Sequence, residues 1–276
     1  MKFQSQEMNI NFKNAVGYLT FKNLEKLKFL KHCFSTRLGG VSKGQFKSMN
    51  LSYSQGDRIE NVDENYKIFC GALEFNIEKL VITSQVHGSE IKCISEKDIK
   101  SGSLNSRKFA GMDGLVTDVP GVVLATFHAD CPAIFMADGV KKVVGVAHAG
   151  WKGTVKKIAK KLVDKFVTYY GSSPSNLICA LGPAIGQCCF EVSTDILPEF
   201  EKLGISKTYL KISDKNSGKA NIDLLEVNKQ ILLQEGVLEE NIVKSDVCTK
   251  CNHDLLFSHR ATNGKRGGSA AFITLT

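Results

Sequence analysis

The chain has 276 residues, 43% hydrophobic and 23% charged, which is the composition of a globular protein with a sizeable core and excludes a disordered or fibrous chain. The 36 basic and 28 acidic residues leave a net charge of +8, which is compatible with anionic substrates. The lysines are spread over helix faces, which argues against nucleic-acid binding. There is no apolar signal segment and no run near the ~18 apolar residues of a membrane span, so we expect a cytoplasmic protein without membrane partners.

Hydrophobic patterning predicts short strands through the first half of the chain, beginning with a hairpin over residues 10–21. A glycine-containing irregular segment follows at 36–53, and Asp57 is predicted to cap a helix that runs to about residue 74. A polar loop is predicted at 96–111. The other strands predicted in this half lie at 29–35, 80–84, 91–95, 115–117, 122–127, 133–137 and 143–147.

The second half begins with the clearest helical pattern, in which apolar residues repeat at three- and four-residue spacing up to Tyr170 while lysines cover the opposite face. The helix is predicted to start at 150–154, so that its free backbone amides form an anion site beside His148. Asp223 and Glu226 predict a capped helix to Gly236. The remaining predictions are strands at 177–181, 209–212, 242–247 and 270–275, a helix at 195–203 and a polar turn at 214–219.

One thiol and two imidazoles stand where predicted strands end: His87, Cys131 and His148. Zinc accepts imidazole nitrogen and thiolate sulfur, and three protein ligands leave a fourth position open for water or substrate. Because the three residues are distant in sequence, spacing alone favours a simpler interpretation, with a core cysteine and hydrogen-bonded histidines. A further interpretation makes Cys131 a nucleophile and His148 its base. His128 is either a cavity residue or a buried, hydrogen-bonded histidine.

Other side chains offer a second metal site and an anion site. Cys248 and Cys251 form a CxxC followed by His253, which is half of a zinc ribbon unless Cys188 and Cys189 supply the other half. The nine cysteines, an odd number without a secretory signal, are otherwise expected to be reduced thiols. Planar guanidinium groups suit phosphate, and free amides at a helix start do so too. We therefore expect substrate or phosphate to be bound by Arg37, Gly150, Lys152, Arg260 and Arg266; the alternative is that the three arginines are exposed to solvent.

Together these residues resemble the YfiH family, also described as laccase-domain or multicopper polyphenol oxidoreductase-like proteins. The resemblance extends over nearly the whole chain from Phe34. Two stretches depart from the usual pattern: His259-Arg260-Ala261 replaces Tyr-Arg-Arg, and Asn263-Gly264-Lys265-Arg266 replaces Thr-Gly-Arg. The matching blocks are Phe34-Ser35-Thr36-Arg37, Gly39-Gly40-Val41-Ser42, Gln85-Val86-His87-Gly88, Asp113-Gly114-Leu115-Val116-Thr117, Ala129-Asp130-Cys131, His148-Ala149-Gly150-Trp151-Lys152-Gly153, Gly182-Pro183-Ala184-Ile185, Asp223-Leu224 and Ser258-His259-Arg260.

The resemblance implies an α/β (α+β) fold, a four-layer α/β/β/α sandwich with mixed sheets, similar to cysteine-hydrolase-like toxin domains of the CNF type and formed as a single domain over residues 1–276. It implies a catalytic zinc site at His87, Cys131 and His148, with copper as the alternative metal. The implied activity is purine nucleoside phosphorolysis: adenosine, inosine or methylthioadenosine and phosphate give the free base and ribose 1-phosphate or its methylthio analogue. Adenosine deamination is attributed to the same site. We expect a monomer or a weak homodimer.

Three other functions compete with this interpretation. A copper-dependent, laccase-like polyphenol oxidase needs several copper centres and typically many histidines, whereas this chain has six. A Cys–His amidohydrolase, including one that edits peptidoglycan precursors, would not need His87 as a ligand. A regulatory protein would bind ligands without turning them over.

Overall fold

The computed structural model of the chain describes residues 3–99, 103–212 and 217–276, and the strands in these ranges form two large sheets and a small one. In chain order the strands are β1 (Met8–Lys13), β2 (Val16–Phe21), β3 (Leu30–Ser35), β4 (Leu80–Ser84), β5 (Ile91–Ile94), β6 (Phe109–Ala110), β7 (Gly114–Thr117), β8 (Val123–His128), β9 (Ala133–Asp138), β10 (Val143–His148), β11 (Leu177–Leu181), β12 (Glu191–Ser193), β13 (Leu210–Lys211), β14 (Lys219–Ile222), β15 (Ile242–Lys244) and β16 (Ser269–Leu275). The helices are α1 (Lys22–Glu25), α2 (Ile59–Leu73), α3 (Trp151–Val155), α4 (Ile158–Tyr170), α5 (Leu197–Glu201) and α6 (Leu224–Gln234).

Both large sheets are mixed. The first has seven strands in the order β1-β2-β3-β16-β8-β4-β6, antiparallel up to β8 and parallel from β8 through β4 to β6. The second has six strands in the order β15-β11-β9-β10-β7-β5, with parallel pairs at its two edges. The third sheet, β12-β14-β13, is small and antiparallel.

The two large sheets pack face to face and each is covered by helices on its outer side. An inner core, which includes Phe34 and Phe135, contains side chains from both sheets. On the outer side of the first sheet, α2 packs Phe69 on Phe272 of β16 with ring centroids 4.9 Å apart. On the outer side of the second sheet, α4 and α6 bury apolar stripes that include Phe166. The predicted α/β/β/α sandwich with mixed sheets is therefore confirmed.

The predicted helix from 150 to 170 is wrong in one respect, because the structure divides it into α3 and α4. Lys157 adopts a left-handed conformation with φ of 58° between the two helices. The apolar spacing continues across this break, so the pattern does not reveal it. Gly153 and β-branched Thr154 and Val155 are weak helix formers, which lowers the cost of ending α3 there.

Other predicted elements differ at their ends. Asp57 was predicted to cap α2 but lies one residue before its N-cap. Its carboxylate accepts hydrogen bonds from Ser42 Oγ (2.6 Å) and Asn50 Nδ2 (3.0 Å), so it stabilises the loop that contains these two residues. Asp223 caps α6 as predicted and accepts a hydrogen bond from the N–H of Glu226 (3.0 Å). Strands β12 and β14 were not predicted. The loop predicted at 96–111, which contains β6, and the turn predicted at 214–219 lie partly outside the described residues.

No helix in the described part of the chain combines the length and the apolar character needed to cross a membrane.

Candidate metal centre and substrate cavity

The site lies at the edge where the two large sheets meet. At this edge the chain passes from the first sheet to the second. Strand β8 of the first sheet ends at His128, and β9 of the second sheet begins at Ala133, which pairs with His148 at the end of β10. The connection between β8 and β9 carries Cys131. Strand β4, parallel to β8, ends at the same edge, three residues before His87.

The structure brings the predicted trio together. The ligand atoms of His87, Cys131 and His148 all lie within 4.8 Å of one another. The two imidazole rings are nearly perpendicular, with an interplanar angle of 83° and centroids 4.8 Å apart. His87 is exposed, whereas His148 is buried. A cluster of two imidazole nitrogens and one sulfur, open to solvent on one side, fits a metal ion with three protein ligands.

Asp113 fixes two members of this cluster. Its Oδ1 accepts hydrogen bonds from His148 Nδ1 (3.0 Å) and from the backbone N–H of His87 (3.0 Å). Its Oδ2 accepts from the N–H groups of Gly88 (2.8 Å) and Val86 (3.2 Å). With Nδ1 occupied by a carboxylate, Nε2 is the nitrogen of His148 available to a metal or a thiolate, which is the usual arrangement of a metal-binding histidine. The sequence offered little to identify this role, because an Asp-Gly pair before a strand is typical of a turn.

The cluster without a metal is a thiolate–imidazolium pair near neutral pH. Burial raises the pKa of Cys131, but the charges and hydrogen bonds of His148 and His87 outweigh it and lower this pKa to about 6. Burial lowers the pKa of His148, and Cys131 and Asp113 together raise it to about 9. The thiolate is the form of cysteine that binds metals and attacks electrophiles.

Two residues of the site are held in left-handed backbone conformations that side chains other than glycine seldom adopt. These are His87, with φ of 58°, and Asp130, with φ of 86°. The Asp130 carboxylate accepts hydrogen bonds from Thr249 Oγ1 (2.6 Å) and from the N–H of Arg260 (2.7 Å). These two hydrogen bonds connect the turn that carries Cys131 with the loop after β15. Strain of this kind persists where surrounding contacts enforce it, as at active sites.

Gly150 is close to all three members of the cluster. A Cβ on this residue would lie 3.1 Å from Cys131 Sγ, 3.1 Å from His87 Cδ2 and 3.5 Å from His148 Cε1. The position therefore leaves room for the cluster. Gly150 does not line the substrate cavity described below. It precedes α3, which has five residues, so the helix dipole at this point is much smaller than that of the longer helix predicted from the sequence.

Both alternatives predicted for His128 hold, because it is a buried, hydrogen-bonded histidine that also lines the substrate cavity described below. Its Nε2 lies 2.9 Å from Thr126 Oγ1, and its Nδ1 lies 3.1 Å from the carbonyl oxygen of Cys131. Both ring nitrogens thus have partners within the protein. Burial, followed by the neighbouring His148, lowers the pKa of His128 well below its ordinary value, so the ring is neutral.

A cavity of about 540 Å³ opens beside the cluster, a volume typical of small-molecule sites. Four aromatic side chains in its wall offer flat surfaces to a ligand ring: Tyr53, Phe127, Trp151 and Phe190. Six basic or imidazole side chains outside the cluster also line it: Lys108, His128, Lys152, His259, Arg260 and Arg266. Asp130 is the one acidic residue among the described lining residues, and its carboxylate is already bonded. The cavity therefore favours an anionic ligand that also has a flat ring.

Among these cationic side chains, Arg266 is the one that has a buried donor without a partner among the described residues. Its Nη1 donates to the carbonyl of Gly267 (2.9 Å), but its buried Nε has no hydrogen-bond partner among the described residues. Burial lowers the pKa of Arg266, and the charges of Cys131 and Asp130 oppose this. A partly buried guanidinium that lines a cavity is a group that can stabilise an anionic ligand there.

The other predicted anion-binding residues differ in position. Lys152 lines the cavity, and Arg260 does so with its guanidinium held by the carbonyls of Cys189 (3.3 Å) and Glu191 (2.9 Å). Arg37 does not line the cavity. Its Nε and Nη1 donate to backbone carbonyls of two loops, at 2.8 and 2.9 Å, and its guanidinium lies over the ring of Phe257. These contacts hold two loops together, and they place the guanidinium of Arg37 away from the cavity wall.

A family model described as multi-copper polyphenol oxidoreductase laccase matches residues 31–276. The purine nucleoside phosphorylase YlmD of Geobacillus stearothermophilus is 36% identical over 240 residues, which is 87% of this chain and 88% of the relative. A protein named adenosine deaminase RL5, from an unknown prokaryotic organism, is 33% identical and covers 86% of this chain and 93% of the relative. Among solved structures, the hypothetical protein YfiH of Bacillus licheniformis superposes with a TM-score of 0.90 at 31% identity, over 97% of this chain and 99% of that one.

Proposed function

Because this chain belongs to the multi-copper polyphenol oxidoreductase laccase family, or YfiH family, we propose that it is a purine nucleoside phosphorylase of the kind named among its relatives. Its substrates would be adenosine, inosine or methylthioadenosine together with phosphate. The products would be the free base and ribose 1-phosphate or its methylthio analogue. The observation that carries the proposal is the His87–Cys131–His148 cluster, which opens into a cavity with aromatic and cationic walls.

His87, Cys131 and His148 would hold one zinc ion and form the catalytic centre. The donor set supports zinc, since imidazole and thiolate are its preferred ligands, and Asp113 orients the ring of His148 as such sites require. A zinc ion there supplies Lewis-acid polarisation of a bound oxygen. Imidazole and thiolate also bind copper, often more tightly than zinc, so metal analysis of the protein as purified decides between the two.

The chain's own residues bind and orient the two substrates. Arg266 and Lys152, which both line the cavity, neutralise phosphate. Arg260 adds positive charge to the same wall. The aromatic side chains hold the purine by stacking, which places the nucleoside between the ring surfaces and the phosphate. Holding both reactants in one cavity converts a bimolecular displacement at the ribose carbon into an effectively unimolecular step.

Adenosine deamination is the second activity that we assign to the same cavity, in keeping with the relative named adenosine deaminase. The purine ring of adenosine has its amino group at C6, and water must attack that carbon. The adenosine would bind with this carbon beside the cluster; water adds at C6, the bond from C6 to the amino nitrogen breaks, and ammonia leaves. The thiolate and imidazoles would hold a metal that supplies Lewis-acid chemistry there. The inosine formed remains a nucleoside and is again a substrate for phosphorolysis.

One observation also favours a Cys–His hydrolase. Asp113, His148 and Cys131 form a chain in which a carboxylate orients an imidazole beside a thiol of lowered pKa. This is the arrangement of an activated cysteine nucleophile. Such an enzyme would act on an amide and would keep its activity after the metal is removed by a chelator, whereas the proposed phosphorylase would lose it.

The decisive experiment incubates the purified protein with inosine, with and without phosphate, and measures ribose 1-phosphate and hypoxanthine. We expect both products only when phosphate is present, and neither from the His87→Ala variant. His253→Ala is the matched control, because His253 is exposed and its ring contacts the Lys250 carbonyl away from the cavity. Absence of phosphate-dependent product from inosine, adenosine and methylthioadenosine would refute the proposal. Oxygen uptake with a phenol by the natively metallated protein would support the oxidase instead.

A further inference from the structure

A second cluster of metal-ligating side chains lies outside the cavity. It consists of Cys188 and Cys189, in the loop between β11 and β12, and Cys248 and Cys251, in the loop after β15. The four sulfur atoms all lie within 4.8 Å of one another. The Sγ–Sγ distances are 3.7 Å between Cys188 and Cys189, 3.8 Å between Cys188 and Cys251, and 3.5 Å between Cys189 and Cys251. All four are free thiols.

These distances match the edges of a zinc tetrathiolate. In a regular tetrahedron with Zn–S bonds of about 2.3 Å, neighbouring sulfur atoms are separated by about 3.8 Å. Four thiols without a shared cation have no comparable reason to converge from two loops, because each is a weak hydrogen-bond donor and acceptor. The side chain of His253 is not part of this cluster, and Cys188 and Cys189 supply the two ligands that the CxxC lacked.

The backbone beside the cluster donates a hydrogen bond to cysteine sulfur. The N–H of Gly186 points to Cys248 Sγ at 3.2 Å, and the two loops are joined by a bond from the N–H of Thr249 to the carbonyl of Ala184 (2.9 Å). A Cβ at Gly186 would lie 3.2 Å from both Cys188 Sγ and the Cβ of Cys248, so glycine keeps that space free. Backbone donors to the sulfur are the outer contacts that stabilise metal-bound cysteine.

We propose that Cys188, Cys189, Cys248 and Cys251 bind one zinc ion in a closed, structural site that is separate from the catalytic cluster. Four protein ligands leave no coordination position for substrate, so this ion stabilises the fold rather than taking part in the reaction. Cys188 and Cys251 are exposed, which gives the ion access without unfolding. The inference does not depend on the proposed phosphorylase activity.

The site would hold one wall of the cavity in place. The loop of Cys188 and Cys189 continues into Phe190, which lines the cavity, and the loop of Cys251 leads to Arg260. Arg260 Nη1 donates to the carbonyl of Cys189, and its guanidinium lies over the ring of Phe190 at 5.5 Å. A metal bound by the four cysteines would fix both loops. The position of Arg260 would therefore depend on that metal.

The test is metal analysis in a protein that lacks the catalytic cluster. In the His87→Ala variant we expect one zinc per chain by mass spectrometry of the metals, and none after Cys251→Ser is added. Cys93→Ser, which replaces a half-buried cysteine far from the cluster in sequence, is the matched control and should keep the ion. Cobalt substitution of the His87→Ala protein should give the absorption of a tetrathiolate centre. Retention of the full zinc content by the double variant would overturn the assignment, as would its absence from His87→Ala.

A second test uses the unmodified chain, so its result does not depend on whether the variants fold. In native protein treated with a thiol-alkylating reagent, peptide mapping should show these four cysteines protected, and a chelator should make them reactive. Rapid alkylation of the exposed Cys188 and Cys251 before chelation, or a disulfide within the cluster in freshly purified protein, would refute zinc binding. Release of metal from the catalytic cluster leaves this result unchanged, because the labelled peptides differ.

Discussion

Asp113 and His148 are joined by two hydrogen bonds, one through the backbone and one through the side chains. The N–H of His148 donates to the Asp113 carbonyl at 2.7 Å, and His148 Nδ1 contacts Asp113 Oδ1 at 3.0 Å. Asp113 is fully buried and also receives three amide hydrogen bonds from the loop that contains His87. One carboxylate thus sets the position of two of the three cluster residues.

Asp113→Asn is expected to lower metal affinity by about 10- to 100-fold, because an amide does not hold His148 Nδ1–H as an ionised carboxylate does. Metal titration with a competing chelator measures the effect. The matched control is Asp138→Asn, another buried aspartate, whose carboxylate accepts the turn N–H groups of Val140 and Lys141. Equal metal affinity of the two variants would show that Asp113 has no positioning role.

Arg266→Gln is expected to raise the KM for phosphate by about 10- to 100-fold, since a charge-assisted hydrogen bond is worth roughly 1.5–3 kcal/mol and 1.4 kcal/mol is a factor of ten. The KM for inosine should change less, because the lost contact is to the anion. Steady-state kinetics with each substrate varied in turn separates the two effects. Arg37→Gln is the control, because Arg37 does not line the cavity, and an equal rise of the phosphate KM in both variants would contradict the assignment.

Gly150→Ala is expected to reduce metal content and activity while the chain remains folded. The added methyl would lie 3.1 Å from both Cys131 Sγ and His87 Cδ2, so the cluster would have to shift. Gly71→Ala in α2 is the matched control, since no described residue outside the backbone of its own helix lies within 4 Å of the added Cβ, and a helical Gly→Ala change should stabilise by about 0.5–1 kcal/mol. Metal analysis and thermal unfolding of both variants check the prediction. A Gly150→Ala protein with full metal content would show that the cluster tolerates the methyl.

Alkylation of Cys131 in chelator-treated protein is expected to rise with pH through about 6, where the thiolate forms beside His148. Burial raises the pKa of Cys93, so its peptide should react only at higher pH and serves as an internal reference. Peptide mapping after short exposure at each pH gives both profiles. If Cys131 titrates with Cys93, the thiolate–imidazolium pair does not exist.

The same pair affects stability without metal, and the two groups act in opposite directions. The lowered pKa of Cys131 stabilises the fold at high pH, and this contribution is lost as the pH falls through about 6. The raised pKa of His148 stabilises it at low pH, and this is lost as the pH rises through about 9. Between these values the two contributions change with pH in opposite directions and largely cancel, so the unfolding temperature of the metal-free protein should vary little with pH there. In Cys131→Ser this cancellation is lost, and the unfolding temperature should depend on pH over the same range.

Much of the fold could be predicted from the sequence because hydrophobic periodicity depends on residues that are close together in the chain. Strands such as β8 and β10, the cap of α6 by Asp223, and the positions of His87, Cys131 and His148 at strand ends all followed from residues close together in the chain. The break at Lys157 did not, because the apolar repeat of α3 and α4 continues across it. Strands β6, β12 and β14 were missed because strands of two to four residues are too short to show a hydrophobic pattern.

The sequence by itself determined which residues are chemically able to act: thiols, imidazoles and guanidinium groups beside glycines at the ends of apolar strands. Only the tertiary structure decided which of them meet. It brought Asp113 to His148, joined Cys188 and Cys189 to the CxxC, and placed Arg266 rather than Arg37 beside the cavity. The physical reason is that strand formation depends on neighbouring residues. Convergence depends on the register between strands and on the packing of one sheet against another, which are contacts between distant parts of the chain.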